Sequence, residues 1–142
     1  MNQAELKYYL ESLKTLIPQL DLNKPLYKEG TTIGQVTFHC TQAANYWIRT
    51  VILRKPFLRD RDSEFINQPT LEQIDSSVGF AIEACAQLEK VNPDLNQKLE
   101  KSLNVMPVNF KAKTNLDALT HVIAHTAEHY GELFQTTRRL WT

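Results

Sequence analysis

The chain has 142 residues, the size of one domain and enough to bury a core without disulfides or structural metals. Lys+Arg and Asp+Glu each number 16, so the formal net charge is zero. A protein that binds nucleic acid by neutralising phosphates carries a basic excess, so no nucleic-acid partner is expected. Only 4 glycines and 6 prolines argue against a loop-rich β-sandwich and against disorder. The most apolar stretch, AANYWIRTVIL, is broken by Arg49, so no membrane span is expected. The N-terminus lacks the basic segment and apolar core of a signal peptide. Cys40 and Cys85 have neither zinc-ribbon nor redox spacing. These features set the expectation of a cytoplasmic chain with free thiols.

Periodicity predicts four amphipathic helices. In the first, Leu6, Tyr9, Leu10, Leu13, Leu16, Ile17 and Leu20 recur at helical spacing. Asn2 with Glu5 resembles a capping box at its start, and Pro18 stands near its end. DLNKPLYKEG reads as a linker. Thr32 with Gln35 opens the second helix, whose stripe is Val36, Cys40, Ala43, Ala44, Trp47, Ile48 and Val51. Arg54 and Lys55 suit its C-terminus and Pro56 stops it. Residues 55–69 read as a charged, irregular connection long enough for a crossover. Thr70 with Gln73 opens the third helix, which carries Leu71, Ile74, Val78, Ala81, Ile82, Cys85 and Leu88 and ends at Asn92-Pro93. Gly79 within it costs about 1 kcal/mol relative to Ala and is either a close-approach point or a tolerated blemish. Leu95, Leu99 and Leu103 fit a short helix. VMPVNFKAK reads as extended, a hairpin or a lid. Thr114 with Asp117 opens the fourth helix, predicted to run almost to Trp141. No series of strands stands out. The predicted fold is a single all-α domain, a four-helix bundle with a short irregular or extended segment before the last helix.

The four histidines carry the chemistry. His39 is on the second helix; His121, His125 and His129 are on the fourth. A spacing of four puts two imidazoles on one face, one turn apart. Such a pair can chelate one metal ion, and a third ligand from a neighbouring helix leaves coordination positions open for chemistry. At about 100° per residue, His125 and His129 fall at the rim of the apolar arc and His121 lies further out, so His121 reads as a supporting or surface residue. His39 falls on the line of Ala43, Tyr46 and Thr50 and can face another helix. Cys40 lies inside the apolar stripe and reads as a small buried hydrophobe.

Other histidine motifs fit less well. HTAEH, residues 125–129, matches the inverted zinc-peptidase pattern with Glu128 as base, but peptidases of that class are much larger, and Glu128 points away from the apolar arc. A ferritin-like di-iron site needs Glu three residues before a histidine on two helices, and no histidine here has one. A hemerythrin-like site needs more ligands than this chain supplies.

TFHCTQAANYWI early in the second helix, followed some 85 residues later by HTAEHYGEL in the last, resembles the DinB-like family of four-helix-bundle metalloproteins. The family's last-helix motif runs His-x-x-x-His and commonly continues Arg-Gly-Gln. His125, His129 and Gly131 match it; Tyr130 and Glu132 replace the usual Arg and Gln. The resemblance implies a bundle with a crossover connection, up-down-down-up. It implies one divalent metal, zinc or nickel, on His39, His125 and His129, and a homodimer. It also implies thiol-dependent transferase chemistry with a low-molecular-weight thiol. Gln42, Tyr46, His121 and Glu132 lie near enough on the helical wheels to surround the ligands or line a pocket. The leading expectation is an S-transferase-like enzyme acting on a small electrophile. The alternatives are a metal-dependent hydrolase using metal-bound hydroxide, and a metal-stabilised binding or stress-response module without activity.

Overall fold

The computed structural model describes residues 3–105 and 110–138. Its main elements are helices α1 (Gln3–Leu16), α2 (Ile33–Asn45), α3 (Leu71–Val91) and α4 (Asn115–Thr136), with strands β1 (Lys98–Val105) and β2 (Phe110–Thr114) before the last helix. The protein is therefore mostly helical, with one small antiparallel hairpin. Asn2, the segment 106–109 and residues 139–142, including Trp141, lie outside the described residues, so the first cap is not on view; the fourth helix ends at Thr136 with Thr137 as its C-cap, short of the run almost to Trp141 that periodicity predicts. Among the described residues no helix is long and apolar enough to cross a membrane.

Three helix starts follow from sequence alone. Thr32, Thr70 and Thr114 each accept a bond from the backbone N–H three residues on, and Gln35, Gln73 and Asp117 reach back to the capping residue. These reciprocal bonds satisfy N–H groups that a helix start otherwise leaves bare. The ends also obey local rules. Asn92, at φ 48°, closes α3 in the left-handed region that Asn tolerates better than other side chains. Arg54, at φ 56°, does the same beyond α2.

α2 does not stay α-helical to its end. Tyr46–Ile52 winds as a π-helix, and the Leu53 N–H reaches back five residues to the Ile48 carbonyl at 2.9 Å. Arg49, inside this segment, is buried. Its Nη2 donates to the Phe80 carbonyl at 2.7 Å and its guanidinium lies 3.4 Å over the Phe80 ring.

α1 and α2 each pack on both α3 and α4. The contacts bury Leu6, Leu10, Leu13, Ile48, Ile74, Leu88, Leu119 and Leu133 almost completely. Cys40 and Cys85 are free and buried, and burial pushes both thiols up to about 12, which fits the reading of Cys40 as a hydrophobe. A Cβ at Gly79 would meet nothing within 4 Å, so no close approach requires that glycine.

One expectation needs correcting. Leu99 and Leu103 belong to β1, not to a short helix. A spacing of four is a multiple of the strand period of two as well as close to a helical turn, so it cannot separate the two. The linker before α2 is also tied down. The Gly34 N–H donates to the Leu22 carbonyl at 2.8 Å, and Gln68 Nε2 donates to the same oxygen at 3.1 Å. A Cβ on Gly34 would stand 2.9 Å from that oxygen and 2.7 Å from Gln68 Nε2. Gly34→Ala is therefore expected to destabilise by about 1–3 kcal/mol despite its better helix propensity. A lowered urea midpoint would show it; an unchanged or raised midpoint would mean that the linker yields freely.

Candidate metal centre

α4 buries Leu119, Val122, Ile123, Thr126 and Leu133 against the bundle. This orientation leaves His125 and His129, one turn apart, at the edge facing α2. His39 approaches from α2. The three histidines each place one ring nitrogen within 4.8 Å of the others. His39 Nε2 and His125 Nε2 are 3.1 Å apart, and the His125 and His129 rings are 4.5 Å apart between centroids. Nitrogens bound to one tetrahedral ion at about 2.0–2.1 Å stand roughly 3.3 Å apart. The cluster is therefore near the spacing that one ion needs, and the histidines lie close enough to hold it.

Carboxylates orient two of the rings. Glu64 Oε1 lies 2.9 Å from His39 Nδ1, and Glu132 Oε1 lies 2.7 Å from His129 Nδ1. Arg59 Nη2 also comes within 3.3 Å of His39 Nδ1. The shorter contact to a full negative charge decides the proton's place: His39 Nδ1–H donates to Glu64, and Nε2 keeps its lone pair for the cluster. The same logic frees His129 Nε2. Each carboxylate is itself braced. Arg59 Nε and Nη2 donate to the two Glu64 oxygens at 2.8 and 2.9 Å. Tyr27 donates its hydroxyl to Glu132 Oε2. Burial first, and then that carboxylate, hold the Tyr27 hydroxyl above its ordinary range.

His125 differs from its neighbours. Its Nδ1 is buried without a hydrogen-bond partner among the described residues. Burial first, and then the neighbouring His129, His39, His121 and Arg59, push it down to about 2. Burial also lowers His39, against the opposing pull of Glu64. Neutral imidazoles with lone pairs turned inward are the form that binds metal. Without a cation, only a proton on His125 Nε2 relieves the facing lone pairs, and it leaves His125 Nδ1 a bare buried acceptor. A divalent first-row ion accepts all three lone pairs at once, and imidazole suits zinc and nickel alike. The residues present fit such an ion.

No family model matches the chain, and no curated protein or solved structure matches it.

A cleft of about 240 Å³ opens beside the cluster, with His39 and His125 in its lining. Tyr46 and Trp47 form an aromatic wall, Leu103 and Val105 come from the hairpin, and Arg59 and Arg61 bring positive charge to the lining. His121 also lines it, with its ring 4.5 Å from Trp47. Of the four surrounding residues expected from sequence, the structure brings Tyr46, His121 and Glu132 to the site. Gln42 goes elsewhere. Its Oε1 accepts from Ser77 at 2.9 Å, in the groove between α2 and α3. Helical-wheel proximity placed it on the right helix but could not say which neighbour that face meets. Three groups escaped the sequence reading. Glu64 and Arg59 sit in a segment of alternating charges that reads as solvated, and Tyr27 sits in a linker. No local pattern marks them, because their partners are 25, 20 and 105 residues away.

Proposed function

We propose that the chain is a metal-dependent enzyme of the DinB-like kind, with S-transferase-like activity that joins a low-molecular-weight thiol to a small electrophile. Three inward-facing imidazoles beside an open cleft carry this reading. His39, His125 and His129 would hold one divalent ion, zinc or nickel. Such an ion is a Lewis acid, lowering the pKa of a thiol or water that reaches it. In the transfer, the thiol sulfur bonds to a carbon of the electrophile, the leaving group departs with the electron pair of the bond it breaks, and the thiol proton goes to solvent. The chain's own residues prepare for this step. Glu64 and Glu132 keep protons on the outer nitrogens of His39 and His129. Tyr46, Trp47 and the hairpin leucine and valine give the cleft apolar walls suited to an organic thiol and electrophile. The cleft itself disfavours a purely structural metal, which is held in a closed site.

The packing of both α1 and α2 on α3 and α4 is the pairing that a crossover connection gives; the up-down-down-up order is what the family resemblance implies. The same resemblance supports a homodimer, which light scattering would test.

Metal content tests the reading. Protein purified without chelator is expected to carry about one divalent ion per chain by elemental mass spectrometry. His39→Ala and His129→Ala are expected to lose it, and His121→Ala to keep it. Incubation with a small thiol and an alkylating electrophile should then give the thioether conjugate; turnover of an ester without conjugate would favour hydrolysis instead. Wild-type protein that holds no metal and takes up neither zinc nor nickel would overturn both enzyme readings.

A further inference from the structure

The cleft beside the histidines has a charge pattern that the overall composition does not predict. The chain is neutral, yet two arginines line this cleft and, among the described residues, no carboxylate does. The two arginines are not equivalent. Arg59 is held by both oxygens of buried Glu64, so its charge is balanced where it stands. Arg61 is exposed and, among the described residues, has no ion pair or side-chain hydrogen bond. The neighbouring Asp60 is turned to the Ser63 N–H at 3.3 Å and lines a different groove, with Leu58 and Ser63. The cleft therefore carries one uncompensated positive charge.

The rest of the lining sets the shape of what that charge meets. Tyr46 and Trp47, at the start of the π-helical segment, offer ring surface at the α2 wall. Leu103 and Val105 supply an apolar facing surface from β1. At about 240 Å³ the cleft is smaller than the usual range of about 300–1,000 Å³ for drug-sized ligands. A guanidinium offers a planar fork that matches a carboxylate.

We propose that this cleft selects a small monocarboxylate with a flat apolar body. Arg61 takes the carboxylate, and the body lies against Tyr46 and Trp47 with its far end toward the histidines. In the metal-free cleft, the single unpaired arginine favours a monoanion over a phosphate dianion, which would bring a second charge with no partner. The proposal deepens the enzymatic reading above, on which it rests only for the direction in which the reacting end points. Arg61 is the specificity residue; Arg59 stays committed to Glu64.

Benzoate and benzamide are matched probes, equal in shape and differing in charge. Their affinities would be measured by ligand-detected NMR on metal-stripped protein, with metal uptake measured separately on the same preparations. Metal-stripped wild type is expected to bind benzoate at least about tenfold more tightly than benzamide. Arg61→Gln should reduce that preference to under about threefold, while Lys90→Gln on the exposed face of α3 should keep it. Equal affinities, binding of neither probe, or a preference that survives in Arg61→Gln would each overturn the proposal. The metal-stripped arm removes direct carboxylate–metal binding as a source of preference. A preference without metal uptake would sink the metal reading and leave this one standing; uptake without preference would do the reverse.

Discussion

Glu64→Ala is expected to cost about 3–5 kcal/mol of stability and to weaken zinc binding about 10–100-fold. The Glu64 side chain is 1% exposed and accepts from three donors: Arg59 Nε, Arg59 Nη2 and His39 Nδ1. Removing it leaves the Arg59 guanidinium, itself 10% exposed, without its counter-charge, and frees His39 to turn or to move its proton. Glu64→Gln keeps the shape but has one acceptor oxygen for three donors, so a smaller loss in both quantities is expected. Urea midpoints and competitive zinc titrations would measure the two effects separately. A stability within about 1 kcal/mol of wild type, with unchanged zinc affinity, would mean that the triad neither braces the fold nor orients the ligand. The pH window of this contribution follows from direction alone. Burial pushes the Glu64 carboxyl up, but the bonds from His39 and Arg59 outweigh it and hold the group below its ordinary 4.5. Its stabilisation is thus fully present above that value and is lost as pH falls through the lower value of the folded state.

The parts of this molecule that were legible in the sequence are those governed by neighbours along the chain. The three Thr-led capping boxes need only four consecutive residues each, and all three form. The spacing of His125 and His129 fixes them on one face whatever the rest of the fold does. His39 was reachable because the apolar stripe of α2 determines which side faces the bundle. Sequence periodicity fails where a tertiary partner decides. Leu99 and Leu103 obey two periods at once, and pairing with β2 selects the strand. The π-helical turn at Tyr46–Ile52 has no proline or glycine to announce it. Glu64 is the most instructive miss. In RDRDSEF its charge looks solvent-bound, and only the meeting of His39 with a segment 25 residues later makes burial affordable. The sequence offered the three ligands and Glu132 beside His129, but not Glu64, Arg59 and Tyr27, which aim or brace the rest.

Metal-free protein is expected to lose stability in acid well before any carboxylate titrates. His125 is held down to about 2 from an ordinary 6.5, first by burial and then by its charged or chargeable neighbours. Below about pH 6.5 the unfolded chain takes up a proton at this residue and the folded chain does not. Protonation then favours unfolding by about 1.4 kcal/mol for each pH unit, or roughly 2 kcal/mol at about pH 5 from His125 alone. Burial shifts His39 and His121 in the same direction, so both add to the loss. The Glu64 pair cannot be the cause in this window, because its carboxyl remains ionised there. Urea midpoints of stripped protein at about pH 7.5, 6 and 5 would trace the slope, and His125→Gln should flatten it. A wild-type stability that stays level across this range would show that His125 takes its proton in the folded state, which its burial against His39 and His129 does not permit. Loading with zinc should raise the stability at neutral pH and steepen the fall, since each proton gained by a ligand is then gained at the expense of the ion. The difference between the stripped and loaded slopes separates the cost of burying three imidazoles from the free energy of the metal they hold.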